Sequence, residues 1–356
     1  MAFQSREYRS GDEIEINRLY QAVTGRLRST ADWKWQWVDN PAGRSEMWVI
    51  EEHNADGPVE IIGHHGVMPF RATIDGEACL VGKTENTMVH PDHRSRILYP
   101  RFERRFLAAY EPRFAMLFST TGPAAAIRLR KAMGYAYRDP MWTDILYRGV
   151  LGGIDLIKAR QRRKATRGST GFLATALRER RSRGVAVVPV DDAAFIEDWT
   201  AAERSIAHPG DGLRFDRGPE ILQWRYARHP SGVYRGIRFE DLLVVAHLKF
   251  GHILCIDEVI SSAGDGEASW SAVSRMMRAM GHRVLQVTGL GKNRPHRELL
   301  SRAGWRVLSR RTVRTDESAP RMPCRITRAG VELGIDLERP GFAPLVFEGP
   351  GRGRAD

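Results

Sequence analysis

Cysteine is scarce in this 356-residue chain: Cys79, Cys255 and Cys324 are the three present. They lie far apart, are odd in number and never fall in C-x-x-C spacing. On that pattern neither a disulfide framework nor a structural zinc site is expected. Long apolar runs are missing too. The longest, Leu242 to Ala246, falls far short of the roughly 20 residues a membrane-spanning helix needs. Met1 to Glu7 holds no apolar core of the kind a secretory signal carries, so the expected compartment is the cytoplasm. Acids are outnumbered: 55 Lys and Arg stand against 43 Asp and Glu, a net charge of +12. That excess points to an anionic ligand, which could be a nucleotide cofactor, nucleic acid or a membrane surface, and does not choose among them. With 42% hydrophobic and 28% charged residues the chain is neither disordered nor collagen-like, and its length leaves room for two cores.

What is present begins with an alternation of helices and strands. Ile14, Ile16, Leu19, Tyr20 and Val23 have helical spacing. Strands are expected at 47–51, 61–68, 84–89 and 114–119, with turns at Asn54–Pro58 and Ile74–Glu77. Helices are expected from about Ile97 to Tyr110 and from Pro123 to Met133, the second stopped by Gly134. Residues 151–184 are rich in arginine and lysine and read as a linker with two basic helical pieces. From Val185 the first pattern restarts, with a hairpin around Gly251, a helix over Trp270–Met280, a strand over Arg283–Thr288 and a helix stopped by Gly304. Two local matches support a tandem repeat. Trp35 to Gly43 aligns with Trp224 to Gly232, both reading W-x-aromatic-x-x-N/H-P-x-G, and Met133-Gly134-Tyr135 aligns with Ala303-Gly304-Trp305. The expected organisation is a domain over 1–150, the basic linker over 151–184, a second domain over 185–320, and a tail over 321–356 whose Ile326–Phe347 would add strands to the second domain.

The most informative stretch is Met88-Val89-His90-Pro91-Asp92-His93-Arg94-Ser95-Arg96-Ile97-Leu98-Tyr99, a strand running through a basic turn into a helix. A helix N-terminus offers unpaired N–H groups and the positive end of its dipole, and a turn of forward-pointing amides adds an anion nest. A diphosphate suits such a site, with Arg94 and Arg96 as charge partners. The alternative is a basic turn that binds nothing.

These residues, with Thr121-Gly122-Pro123 opening a helix that ends Lys131-Ala132-Met133-Gly134-Tyr135, resemble the GNAT superfamily of N-acyltransferases. The resemblance covers most of 1–150 and continues more faintly over 185–310. It implies an α/β fold of two tandem GNAT-like domains, each a mixed, mostly antiparallel twisted sheet flanked by helices. It implies acetyl-CoA or another acyl-CoA as co-substrate, held by Met88, Val89, Arg94, Ser95, Arg96, Ile97, Leu98, Tyr99, Thr120, Thr121 and Gly122. Arg94 fits the family's Arg/Gln-x-x-Gly-x-Gly/Ala pattern, whereas Ile97 and Tyr99 replace its two glycines. Arg130 stands where many members carry a tyrosine acid, leaving Tyr99 and Tyr135 as stand-ins. In such an enzyme an amine attacks the thioester directly, and the protein supplies positioning, a donor for the thioester oxygen and a route for the proton. Glu85, the acid of the strand Thr84–Val89, is the candidate base; the alternative for it is a salt-bridged strand glutamate.

The second repeat carries Glu258, Asp265 and Glu267 around the corresponding turn. These acids would repel a diphosphate, so that domain is not expected to bind coenzyme A. Trp33, Trp35, Trp37 and Trp48 read as core rather than a stacking platform. His64 and His65, adjacent on a strand, face opposite sides, and no metal is assigned. His90 and His93 read as exposed turn residues. The expected acceptor is an amine of a small molecule or a sugar nucleotide. Two alternatives stay open: a Fem-like transferase using aminoacyl-tRNA, which would suit the basic linker, and a degenerate, non-catalytic pair serving as a scaffold.

Overall fold

The structure is a computed structural model that describes residues 2–53, 58–96, 98–119, 124–165, 174–205, 213–261, 267–290, 295–308 and 321–333. Along the chain the first elements are β1 (Ala2–Glu7), α1 (Asp12–Thr24), α2 (Thr30–Trp37), β2 (Glu46–His53), β3 (Glu60–Ile74), β4 (Glu77–Val89), a 3-10 turn (Pro91–Arg96), α3 (Leu98–Tyr110), β5 (Met116–Phe118), α4 (Ala124–Ala132) and β6 (Ala136–Arg148). There follow α5 (Gly149–Ala165), β7 (Ala174–Thr175), β8 (Arg180–Ser182), β9 (Val185–Val188), α6 (Ala193–Ser205), β10 (Leu213–Phe215), α7 (Pro219–Leu222) running into a π-helical turn (Gln223–Ala227), β11 (Arg235–Phe239), β12 (Leu242–Lys249), β13 (Ile253–Ser261), α8 (Glu267–Met280), β14 (Val284–Leu290), α9 (Pro295–Arg302), β15 (Trp305–Leu308), β16 (Arg321–Ile326) and α10 (Arg328–Glu332). Among the described residues no helix is long and apolar enough to cross a membrane.

The chain divides into two compact units. The first comprises Met1–Arg138, Gly210–Asp216 and Met322–Pro344; the second comprises Asp139–Pro209, Arg217–Arg321 and Leu345–Asp356. In the first, the sheet order is β1-β2-β3-β4-β5-β16, with β10 added along the end of β3. Every described pairing is antiparallel except β4 with β5. Local chemistry sets the helix ends. Asp12, Glu13 and Glu15 fill the first turn of α1, where the helix dipole favours acids, and Gly25 ends it at φ 71°. Ser29 and Asp32 cap α2 reciprocally. One sheet face packs Val67 and Leu117 against Phe106, Leu107 and Tyr110 of α3; the other receives Trp37 of α2.

The second unit has the sheet order β6-β14-β13-β12-β11-β9-β8, with β13 and β14 its parallel pair. One core lies with α8, around Val273, Met276 and Met277. The other lies with α6, around Phe195 and Trp199. The two units repeat one plan. The strand preceding each parallel pair joins its partner through a register shift: between His64 and Gly66 in the first unit and between Val245 and Ala246 in the second. The repeated W-x-aromatic motif closes on the same turn in both. Ala42 N–H donates to Asn40 Oδ1 at 2.9 Å, and Ser231 N–H to His229 Nδ1 at 3.1 Å. Gly43 N–H then bonds Asn40 O at 3.1 Å, and Gly232 N–H bonds His229 O at 2.9 Å.

Two segments differ from expectation. The second basic piece of 151–184 is a strand, not a helix: Arg180–Ser182 pairs with Val185–Val187 across a turn in which Arg183 and Gly184 take φ 53° and 73°. The first piece is a helix that packs into its unit instead of linking: Ala159 of α5 lies in a small core with Ile253, Cys255 and Val284. The strand β16 pairs with β5, Cys324 opposite Phe118; of the stretch Ile326–Phe347 expected to add strands to the second domain, residues 334–347 lie outside the described residues.

Candidate active site

The site starts where β4 and β5 part. They pair from Val81 with Met116 to Lys83 with Phe118, and β4 then runs on to Val89 with no described partner on that side. Thr84 marks the parting, its hydroxyl donating to Phe118 O at 3.2 Å. Just beyond, β4 bulges. Gly66 pairs with Glu85 and His64 with Met88, so that Asn86 and Thr87 together oppose His65. Asn86 takes φ 48°, a conformation asparagine tolerates better than most residues. His64 holds it there, with Nδ1 2.8 Å from Asn86 O. A carbonyl only accepts, so Nδ1 carries the proton. Burial pushes the His64 pKa down to about 3, and the ring is neutral.

The bulge separates two polar groups on opposite sheet faces, because neighbouring strand residues alternate. On the α2 face, Lys83 Nζ lies 2.6 Å from Glu85 Oε1, both side chains buried. Asn86 Nδ2 reaches Gln36 Oε1 at 3.5 Å, and Arg28 reaches the same oxygen at 3.4 Å. Arg28 lies over the Tyr20 and Trp33 rings, and burial lowers its pKa to about 10.

On the α3 face a buried cluster surrounds Glu103. Tyr135 OH donates to Glu103 Oε1 at 3.2 Å, and Arg130 Nε lies 3.8 Å from the same oxygen. His65 Nε2 is 3.9 Å from Glu103 Oε2. Arg130 also donates to Thr87 Oγ1 in the bulge at 3.1 Å. Burial raises Glu103 against the attraction of Arg130, and burial with Arg130 lowers His65. Sequence reasoning missed Glu103; its place among Phe102, Phe106 and Leu107 on the buried side of α3 was the available signal.

The structure places the predicted residues as follows. Glu85 stands on β4 opposite Gly66, directly before the bulge, and its alternative as a salt-bridged glutamate is realised with Lys83. Met88 is buried opposite His64, and Val89 ends the strand opposite Gly63. Arg94 is exposed, its Nε donating back to Val89 O at 3.2 Å. Ser95 and Arg96 end the 3-10 turn, and Leu98 and Tyr99 open α3. Leu98 also packs against the core of Ile50, Ile62 and Phe102. Ile97, Thr120, Thr121 and Gly122 lie outside the described residues. The turn is a 3-10 helix, with His93 N–H bonded to His90 O at 3.0 Å, rather than an open nest. His93 is not the exposed turn residue expected: its ring is largely buried, with Nε2 3.7 Å from Glu52. Of the stand-in acids, Tyr135 is committed to Glu103 and burial raises its pKa. Among the described residues no group of three His, Cys, Asp or Glu side chains could hold a metal ion.

Among the described residues, the pairing of β4 with β5 ends at Lys83 and Phe118. The exposed Arg94 past the end of β4 and the start of α3 beyond fit an anion.

Residues 4–138 match the family model of the acetyltransferase (GNAT) domain, and this part of the chain is a GNAT domain. Solved structures share the fold along nearly the whole chain. A probable N-acyltransferase from Enterococcus faecalis superposes with a TM-score of 0.58 at 10% identity, covering 94% of this chain and 74% of its own. GCN5-related N-acetyltransferases from Kribbella flavida and Anabaena variabilis give TM-scores of 0.55 and 0.57 at 16% and 12% identity. They cover 93% and 91% of this chain and 73% of each of theirs. No curated protein matches the sequence. The chemistry of the family is acyl transfer.

Proposed function

We propose that the protein is an acyl-CoA-dependent N-acyltransferase whose first unit binds the donor and whose acceptor is the amine of a small molecule or a sugar nucleotide. The observation that carries this reading is the parting of β4 from β5 beyond Lys83 and Phe118, with the bulge at Asn86 beside it. The donor supplies an acyl thioester carbonyl. Met88 and Val89 offer backbone groups to its arm, and Arg94 and Arg96 offer charge to its diphosphate. Glu85, with Lys83 fixing its position, receives the amine proton directly or through one water. The second unit repeats the sheet, and the acids its sequence carries at Asp265 and Glu267 do not suit a diphosphate, so it is not the donor-binding unit.

The test is calorimetric titration of acetyl-CoA into the full-length protein and into an Arg94→Ala, Arg96→Ala double variant. Binding that the variant loses supports the reading. Absence of binding to the folded wild type sinks it, and salt-sensitive tRNA binding in its place would bring the aminoacyl-tRNA alternative forward.

A further inference from the structure

The helix α5 leaves an apolar stripe in water. Val150 is 83% exposed, Leu151 54%, Ile154 40% and Ile157 58%. Val150, Ile154 and Ile157 fall at i, i+4 and i+7, one line along the helix, with Leu151 at its edge. The opposite side fixes the helix in its unit. Gly152 lies so close to Arg283 that a Cβ there would be 2.9 Å from its carbonyl oxygen. Ala159 is buried, and Arg162 Nη1 donates to Phe250 O at 3.1 Å. The exposed line continues past Ile157 as Lys158, Gln161 and Lys164, with exposed Arg160 and Arg163 beside it. The single acid of the helix, Asp155, faces His252 at 3.8 Å and Arg283 at 4.0 Å. The outward surface is therefore aliphatic over its first two turns and cationic over its last two.

We propose that this face of α5 is a docking surface for an anionic lipid bilayer. A layer that is apolar inside and negative at its surface complements both halves, and it does so without shape matching. A protein partner fits less well. The stripe contains no Trp, Tyr or Met anchor of the kind that dominates protein interfaces. Four aliphatic side chains are also a small patch beside the roughly 800 Å² per partner that a stable complex buries. A second copy of the chain would bring a like-charged helix end to the same place, in a protein whose net charge is already +12.

The experiment is co-sedimentation of the full-length protein with phosphatidylcholine vesicles, with and without about one third phosphatidylglycerol. An Ile154→Ser, Ile157→Ser variant and a Lys158→Glu, Lys164→Glu variant are run beside the wild type. All four positions are exposed, so the variants keep the fold, and circular dichroism checks this. Wild type binds the anionic vesicles and not the neutral ones, and binding weakens above about 0.15 M salt. Each double variant loses about ten-fold in partitioning or more. Failure of wild type to bind anionic vesicles overturns the proposal. So does binding that the serine variant retains in full, which would be charge attraction alone. A wild-type dimer in sedimentation velocity that the serine variant abolishes, without vesicle binding, overturns it in favour of a second copy.

Discussion

Lys83 Nζ and Glu85 Oε1 are 2.6 Å apart on one face of β4, two residues from each other and both buried. A lone carboxylate on a buried sheet face would take up a proton or a counter-charge, and the ammonium supplies the second. The pair stands just before the bulge: Lys83 is the last residue of β4 paired with β5, and Glu85 the last paired with β3 before the register shift. On the proposed reading, the proton acceptor at this point is oriented by Lys83.

Glu85→Gln is expected to lower kcat by about 10²- to 10⁴-fold while leaving KM for acetyl-CoA close to wild type. Lys83→Met removes the counter-charge and moves the acidic limb of the pH–rate profile to higher pH, because an unpaired buried carboxylate holds its proton longer. Steady-state kinetics across the pH range measures both. If Glu85→Gln changes kcat by less than about two-fold, the pair is a structural ion pair and the base lies elsewhere.

Gly66 sets the distance between the sheet and α2. A Cβ at this position would come within 2.2 Å of Trp37 Cη2 and 2.4 Å of Cζ3, and Trp37 is fully buried. The ring cannot retreat without opening the core, so Gly66→Ala is expected to cost about 2–3 kcal/mol in urea denaturation. A Gly66→Ala, Trp37→Leu double variant should be more stable than the sum of its single changes implies, since the second substitution removes the clash. Strict additivity would show that the close approach is not what demands glycine here.

Much of this fold is legible in hydrophobic spacing and in glycines that stop helices. Gly134 and Gly304 take φ 84° and 83° just after α4 and α9. The opposite orientations of His64 and His65 follow from strand alternation, and the structure packs one ring on Trp37 and the other on Phe106. What escapes is built from short or polar pieces. β1 is largely exposed and carries no alternation, and β10 is too short for any pattern. α2 hides because tryptophan at 33, 35 and 37 mimics strand spacing, although Ser29 and Asp32 announce its start. The arginines of 178–183 suggest a helix; the following Gly184 signals the tight turn that pairs β8 with β9. At the site, Glu85 and the strand-to-turn stretch stand out in sequence. The bulge and the Glu103 cluster do not, because both depend on cross-strand register and on which side of α3 is buried.

The second unit contains a charge pair with a clear pH signature. His247 Nδ1 lies 2.7 Å from Asp257 Oδ2, and the ring packs edge-on against Tyr234. Burial alone would lower the His247 pKa, but the adjacent carboxylate overrides it and pushes the value up to about 10. A histidine in the unfolded chain titrates near 6.5. The pair therefore stabilises the fold fully below about pH 6.5, and that contribution is lost as pH rises from there through about 10. Asp257→Asn leaves a buried histidine without its counter-charge, and at neutral pH it is expected to destabilise the protein by on the order of 3 kcal/mol. Its stability should then change less between pH 7 and 10 than that of the wild type, because its histidine is already neutral over most of that window. Urea midpoints measured for both proteins across that range decide the matter. Curves that stay parallel would mean that His247 does not titrate with folding, and that Asp257 serves it only as a hydrogen-bond partner.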